Sequence, residues 1–207
     1  MDDYRTIAAG SVGELEEKKS KFIASLVHVS TEEEAILHIN SVKAANRKAR
    51  HNVYAYILRQ GNTSRYSDDG EPQGTGGVPV LEVLKGFGLT DVCVVVTRYF
   101  GGILLGTGGL ARAYSGACKN AVSDAEILDM CSCSKFEIKC DYNLYGRLAR
   151  LLPELGAKTL SEDFADSVNL SVIVRTADCA AFREKVINAA NGKVEMQETT
   201  DLFENFR

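Results

Sequence analysis

Residues 97–116 read TRYFGGILLGTGGLARAYSG, and residues 67–79 read SDDGEPQGTGGVP. Thirteen of the chain's eighteen glycines lie between Gly61 and Gly116, most of them in these two stretches. Glycine weakens a helix or strand by roughly 0.5–1 kcal/mol relative to alanine. Such a concentration therefore marks backbone angles or close approaches that other residues cannot take. Between the stretches, VCVVVT at 92–97 is a short unbroken apolar run bounded by turn residues, which predicts a central strand buried on both faces. Downstream, the small residues of GTGGLARAYSGA predict a helix from about Gly108 to Ser123 that packs closely on a sheet. A buried strand between two glycine-rich turns, followed by such a helix, reads as an α+β core.

Upstream of this core, alternation predicts strands near Val12 to Glu17, Lys21 to Val29 and Asn52 to Leu58. Thr31 is placed to cap a helix reaching about Ala49, with Ala35, Ile39, Val42, Asn46 and Ala49 at helical spacing. The stretch at 67–79 reads as a long loop and Val80 to Gly86 as a short helix, on a mixed or antiparallel sheet. Downstream, Lys135 to Asp141 alternates as a strand. Leu144, Leu148, Leu151, Leu152 and Leu155 form a helical stripe ended by Gly156. Strands follow near Ala157 to Phe164 and Val168 to Val174, then a helix from Asp178 to about Ala190, then a strand from Lys193. The order β-α-β-β-α-β is the ferredoxin-like split βαβ. Two domains are expected, 1–130 and 131–207.

Composition narrows the function classes. The chain has 207 residues, 45% hydrophobic and 25% charged, ordinary for a globular protein. Net charge is −4 with a pI near 5.5, divided evenly between the halves. That opposes a protein-wide nucleic-acid footprint but leaves room for a local basic face. No stretch is long and apolar enough to span a bilayer, and MDDYRTIAAG lacks the form of a signal peptide. A cytoplasmic location without membrane partners is expected. The six cysteines lack C-x-x-C spacing and read as buried reduced thiols rather than a disulfide or zinc framework.

Gly106 to Ala111 fits G-x-G-x-x-A, but no acid ends a following strand as a dinucleotide site requires. Gly101 to Gly106 fits P-loop spacing, but Thr107 stands at the lysine position. Neither nucleotide motif is supported. What remains is a glycine-rich helix N-terminus, whose backbone N–H groups and dipole suit an anion. Arg98 and Arg112 would clamp phosphate or carboxylate there, over Gly101, Gly102, Gly106, Gly108 and Gly109. Tyr99 and Tyr114 would offer stacking faces. The competing reading is structural: the glycines serve close packing, and the arginines pair with Asp68, Asp69 or Glu71. In the acidic loop, Ser67, Asp68, Asp69 and Glu71 could hold a hard cation such as Mg²⁺, or simply make Asx turns. No catalytic residue and no metal site stand out. His51 and Asn52 are further candidates. The basic run Lys43, Arg47, Lys48, Arg50 is short and complements the dipole of a helix beginning Glu32-Glu33-Glu34.

SDDGEPQGTGGVP followed by VVVTRYFGGILLGTGGLARAYSGA resembles the IMPACT/YigZ family, with EEKKSKFIA (Glu16 to Ala24) and ARHNVYAY (Ala49 to Tyr56) in the expected order. The resemblance covers the whole N-terminal segment. It implies a fold like the second domain of a small-subunit ribosomal protein, shared with elongation factor G and with kinases of the galactokinase class. The C-terminal segment is similar to a domain of elongation factor G. Eukaryotic relatives are tied to control of translation initiation through a regulator of an initiation-factor kinase. Gln73, Gly76 and Val53 depart from the family's common Ser, Ala and Cys, which argues against an indispensable hydroxyl or thiol nucleophile there. The leading expectation is a protein that binds RNA, ribosomes or the translation machinery. Two alternatives stand beside it: an enzyme acting on a phosphorylated small molecule, and a protein–protein regulatory module.

Overall fold

The computed structural model describes residues 3–206, which fall into two compact units, Tyr4–Leu128 and a second formed by Asp129 onward together with Asp3. The fold is a mixed α+β one.

In the first unit, β2 (Ser11–Glu17), β3 (Ser20–His28), β4 (His51–Leu58), β5 (Thr63–Ser67) and β6 (Val92–Tyr99) form an antiparallel sheet in the order β2-β3-β6-β4-β5. β1 (Tyr4–Ile7) precedes it, and the Arg5 carbonyl accepts the Thr90 N–H. The helices are α1 (Glu32–Ala45), α2 (Gly77–Gly86) and α3 (Gly106–Asp124). The apolar run of β6 is explained by cover on both faces. Val92, Val94 and Val96 pack with α2 and α3 residues such as Leu84, Leu110, Ala113 and Ala117, whereas Cys93 and Val95 pack with Ala35 and Ile39 of α1.

Several boundaries differ from the sequence reading. The first helix stops at Ala45, because Asn46 leaves helical geometry and its own side-chain amide donates to the Val42 carbonyl. The pattern Thr-Ser-Arg-Tyr-Ser hid β5, which is an exposed edge strand and needs no apolar face. β1 was not expected at all. The β2–β3 hairpin closes through two residues, Lys18 at φ 47° and Lys19 at φ 65°, with Glu17 opposite Ser20.

In the second unit, β7 (Ile127–Cys140), α4 (Tyr142–Glu154), β8 (Lys158–Phe164), β9 (Val168–Arg175), α5 (Cys179–Ala189) and β10 (Glu195–Asn205) follow one another in β-α-β-β-α-β succession. β7 begins eight residues before the expected Lys135. The strands lie in the order β10-β7-β9-β8, all these pairs antiparallel. Leu148 and Leu152 of α4 and Phe182 and Val186 of α5 cover one sheet face through Phe136, Ile138, Leu170 and Val172. Asp141 caps α4 by accepting the Leu144 N–H at 2.9 Å. Asp178 sits at the N-cap of α5 without a side-chain capping bond.

All six cysteines are free thiols, five of them buried. Burial alone pushes the Cys93 and Cys118 thiols up to about 12, so neither ionises at neutral pH. Among the described residues no helix is long and apolar enough to cross a membrane.

Candidate functional site

Alternation along β6 assigns its last two residues to opposite faces. Arg98 follows Val94 and Val96 toward α3. Tyr99 turns toward α1, where its hydroxyl donates to Asn46 Oδ1 at 2.7 Å. The two residues therefore do not share one binding surface, contrary to the sequence expectation.

Arg98 is not exposed. Its side chain is 7% accessible and donates to Glu71 Oε1 at 2.6 Å, and the Glu71 side chain is itself only 4% accessible. Tyr114, fully buried, donates its hydroxyl to the same oxygen at 2.7 Å. Burial and the Glu71 carboxylate both push the Tyr114 phenol upward, so it remains a proton donor. The Phe22 ring meets Tyr114 edge-on at 5.0 Å, and the guanidinium lies 5.6 Å from the Phe22 centroid and 5.5 Å from that of Phe100. This is an internal polar cluster. Tyr114 has no ring face for a base, and Arg98 is no clamp for an outside anion. Arg112 stands apart, exposed on α3 beside a groove of about 560 Å³ that Phe87, Val83 and Lys119 also line.

The acidic loop is likewise turned inward. Asp68 accepts the N–H groups of Gly74, Gly76 and Gly77 at 2.8, 2.9 and 2.8 Å. It thus supplies from within the anion that the N-terminus of α2 attracts. Burial raises its pKa, but these three donors outweigh it and hold the carboxyl below its ordinary value. Asp69 binds Lys43 Nζ at 2.7 Å and the Asn52 N–H at 2.7 Å. Its carbonyl accepts from His51 Nδ1 at 2.9 Å, and its own N–H donates to Ser67 Oγ at 3.1 Å. Asn52 Oδ1 in turn accepts from Thr97 Oγ1 at 2.8 Å. Ser67, Asp68, Asp69, Glu71, His51 and Asn52 therefore latch the loop to the sheet. The three acids reach three different partner sets, so the Mg²⁺ reading loses its ligand geometry. Among the described residues no group of three or more His, Cys, Asp or Glu side chains could hold a metal ion.

A consequence is measurable. Asp68→Ala should cost about 0.5–2 kcal/mol, as loss of an N-terminal cap does. Because the native pKa is lowered, the stabilisation by Asp68 is fully present above the ordinary carboxylate range near 4 and is lost as pH falls through the native value. Urea titrations at descending pH should show a shallower acid loss below about pH 4 in Asp68→Asn than in the parent.

The glycines of the second block separate by role. Gly102 and Gly106 hold φ of 87° and 71° with open space around them, whereas Gly101 lies against the Lys19 backbone. Gly108 and Gly109 lie in the first turn of α3, which has no side-chain cap.

The accessible chemistry lies at the neighbouring end of the sheet, where the sequence reading weighed the basic run Arg47, Lys48 and Arg50 but not Lys18 and Lys19. Lys21 pairs in register with Tyr99, His51 with Arg98, and the Gly101 N–H donates to Ser20 Oγ at 3.1 Å. The Lys18–Lys19 turn, the loop 100–105 and the C-terminal end of α1 therefore gather together. Lys18, Lys19, Arg47, Lys48 and Arg50 are exposed there, with no carboxylate partner among the described residues. Phe100, Ile103 and Leu104 are exposed beside them, Leu104 by 82%. The signal available in the sequence was the Lys-Lys pair between two alternating segments.

Asp68, Asp69 and Glu71 are thus engaged within the fold of this α+β unit, whereas Lys18, Lys19, Arg47, Lys48 and Arg50 stand exposed on one rim. Residues 18–122 match the Impact N-terminal domain family, and residues 138–193 match a domain of unknown function, DUF1949. The chain is 35% identical over 199 residues to the IMPACT family member YvyE of Bacillus subtilis, covering 96% of this chain and 92% of that one. It is 35% identical over 194 residues to the IMPACT family member YigZ of Escherichia coli, covering 92% and 95%. A crystal structure described as that of a hypothetical protein superposes with a TM-score of 0.61 at 33% identity, covering 95% of this chain and 97% of the other. The chain belongs to the IMPACT family.

Proposed function

We propose that this protein binds RNA, in the ribosome or the translation machinery, through the rim formed by Lys18, Lys19, Arg47, Lys48 and Arg50 around the loop 100–105. The observation that carries the reading is the hairpin turn. Both central positions of such a turn need positive φ and favour Asn or Gly, and a side chain there costs roughly 1–2 kcal/mol per residue. Lys18 and Lys19 occupy them at φ 47° and 65°. Strain kept at two adjacent cations is accounted for by what the cations do outside the fold. The exposed Phe100 ring supplies a face on which a base could stack. The reading includes a ribosomal-protein-like N-terminal unit, a ferredoxin-like C-terminal unit and a cytoplasmic site of action. The enzyme alternative is weakened, because Asp68, Asp69 and Glu71 are each held by partners within the fold and Arg98 is paired with Glu71.

Replacing Lys18-Lys19 by Asn-Gly separates folding from binding. The thermal midpoint should rise, because the turn strain is relieved. Affinity for a structured RNA should fall at all salt concentrations, with the slope of log K against log salt smaller by roughly 1–2. Unchanged affinity and slope would overturn the proposal.

A protein partner is the second reading, favoured by the exposed apolar side chains Phe100, Ile103 and Leu104. Leu104→Ser would then abolish partner recovery while leaving RNA affinity intact.

A further inference from the structure

The helical face of the second unit carries a solvent-open groove of about 770 Å³ between α4 and α5. Arg147 and Arg150 of α4 and Lys185 of α5 line it, with the amides of Asn143 and Asn188. One acid, Glu154, stands at the end of the α4 side. All three cations are exposed, and none has a carboxylate partner among the described residues. Elsewhere in the same unit Lys135, Lys139, Lys158 and Arg183 are each paired with a glutamate. Three of the five cations of this unit that make no ion pair among the described residues thus line the groove, the other two being Arg175 and Lys193.

Gly146 is an independent observation. It lies inside α4, where glycine costs about 1 kcal/mol relative to alanine. A Cβ built there would meet nothing within 4 Å, so no internal packing requires the glycine. It lines the groove, where the missing side chain lets something outside the fold approach the helix backbone.

We propose that this groove holds the phosphodiester backbone of single-stranded RNA, as a contact separate from the Lys18–Lys19 rim; the inference rests on the RNA reading above. The shape favours a chain over a small molecule. The lining runs from Asn143 to Glu154, about 16 Å along a helix that rises 1.5 Å per residue, and it is open rather than enclosing. Cations repeat along it, as a repeating anion requires, and the amides can donate to phosphate or sugar oxygens. No aromatic ring lines the groove, so it would track the backbone rather than stack the bases.

The test measures anisotropy of a labelled oligouridylate with the full chain across a salt series. Three variants are compared: Arg147→Ala with Arg150→Ala, Gly146→Ala, and the Lys18-Lys19 replacement. The double arginine variant should bind roughly tenfold more weakly at moderate salt, with the slope reduced by about 1.4, the value for two contacts on a single strand. Gly146→Ala should raise the thermal midpoint yet lower affinity, a combination that a purely structural glycine would not give. Wild-type affinity and slope in both groove variants, with binding lost in the turn variant, would overturn the groove and leave the rim. The converse pattern supports the groove and overturns the rim. Equal displacement of the oligonucleotide by polyglutamate would overturn the assignment to RNA. Absence of binding by the parent at low salt would overturn both.

Discussion

Arg98→Ala is expected to lower the stability of the Tyr4–Leu128 unit by about 3–5 kcal/mol, the range found when one partner of a buried ion pair is removed. The Arg98 and Glu71 side chains are 7% and 4% accessible and 2.6 Å apart, so Glu71 would be left charged and nearly dry, held only by the Tyr114 hydroxyl. Urea titration by circular dichroism should show the loss, and hydrogen exchange of the β6 amides should accelerate with it. Pairing Arg98→Met with Glu71→Gln removes the stranded charge while keeping an acceptor for Tyr114. That double variant should recover most of the loss, since apolar replacement of a whole buried pair is often neutral or favourable. A loss below about 1 kcal/mol in Arg98→Ala would mean that Glu71 does not depend on the guanidinium. The buried Nε of Arg98 has no hydrogen-bond partner among the described residues, which already makes the pair imperfect. RNA affinity measured well below the unfolding transition should be unaltered by the double variant, because Arg98 is not on the rim.

The same residues show what a sequence conveys and what it withholds. The apolar run of β6 announced a strand covered on both faces, and the α+β class followed from it and the glycine blocks. Arg98 and Tyr99 were legible as a charged and an aromatic residue at a strand end. Period-two alternation separates them onto opposite faces, against the expectation of one shared surface, and the partners waiting on each face, Glu71 and Asn46, come from segments 27 and 53 residues away. Whether a charged cluster faces inward or outward is decided by such distant partners. The edge strand β5 was invisible for a related reason, since a strand with no buried face has no apolar period to read. The Lys18–Lys19 turn was hidden differently. Lysine has no preference for positive φ, so turn chemistry gave no signal, and only the backbone reveals the strain.

Gly101 and Gly102 stand side by side, yet alanine should damage them by different mechanisms and to different extents. At Gly101 a Cβ would lie 2.0 Å from the Lys19 carbonyl carbon and 2.4 Å from the Ser20 nitrogen. Those atoms belong to backbone, and β3 is held there by its register with β6, so no flexible side chain can give way. Gly101→Ala should therefore force the hairpin away from the loop, at a cost of about 1–3 kcal/mol or more, as overpacking does. At Gly102 a Cβ would meet open space, but φ is 87°, which costs an L-residue on the order of 1–2 kcal/mol without displacing a neighbour. Denaturation midpoints should rank Gly101→Ala below Gly102→Ala. Amide chemical shifts of Lys18, Lys19 and Ser20 should move in the first variant and stay in the second. Because the turn presents its two lysines from the backbone that Gly101 supports, Gly101→Ala should also weaken RNA binding at temperatures where the protein remains folded, whereas Gly102→Ala should not. An equal effect of both variants on the turn would mean that the loop angle, rather than the contact between the Gly101 and Lys19 backbones, positions the rim.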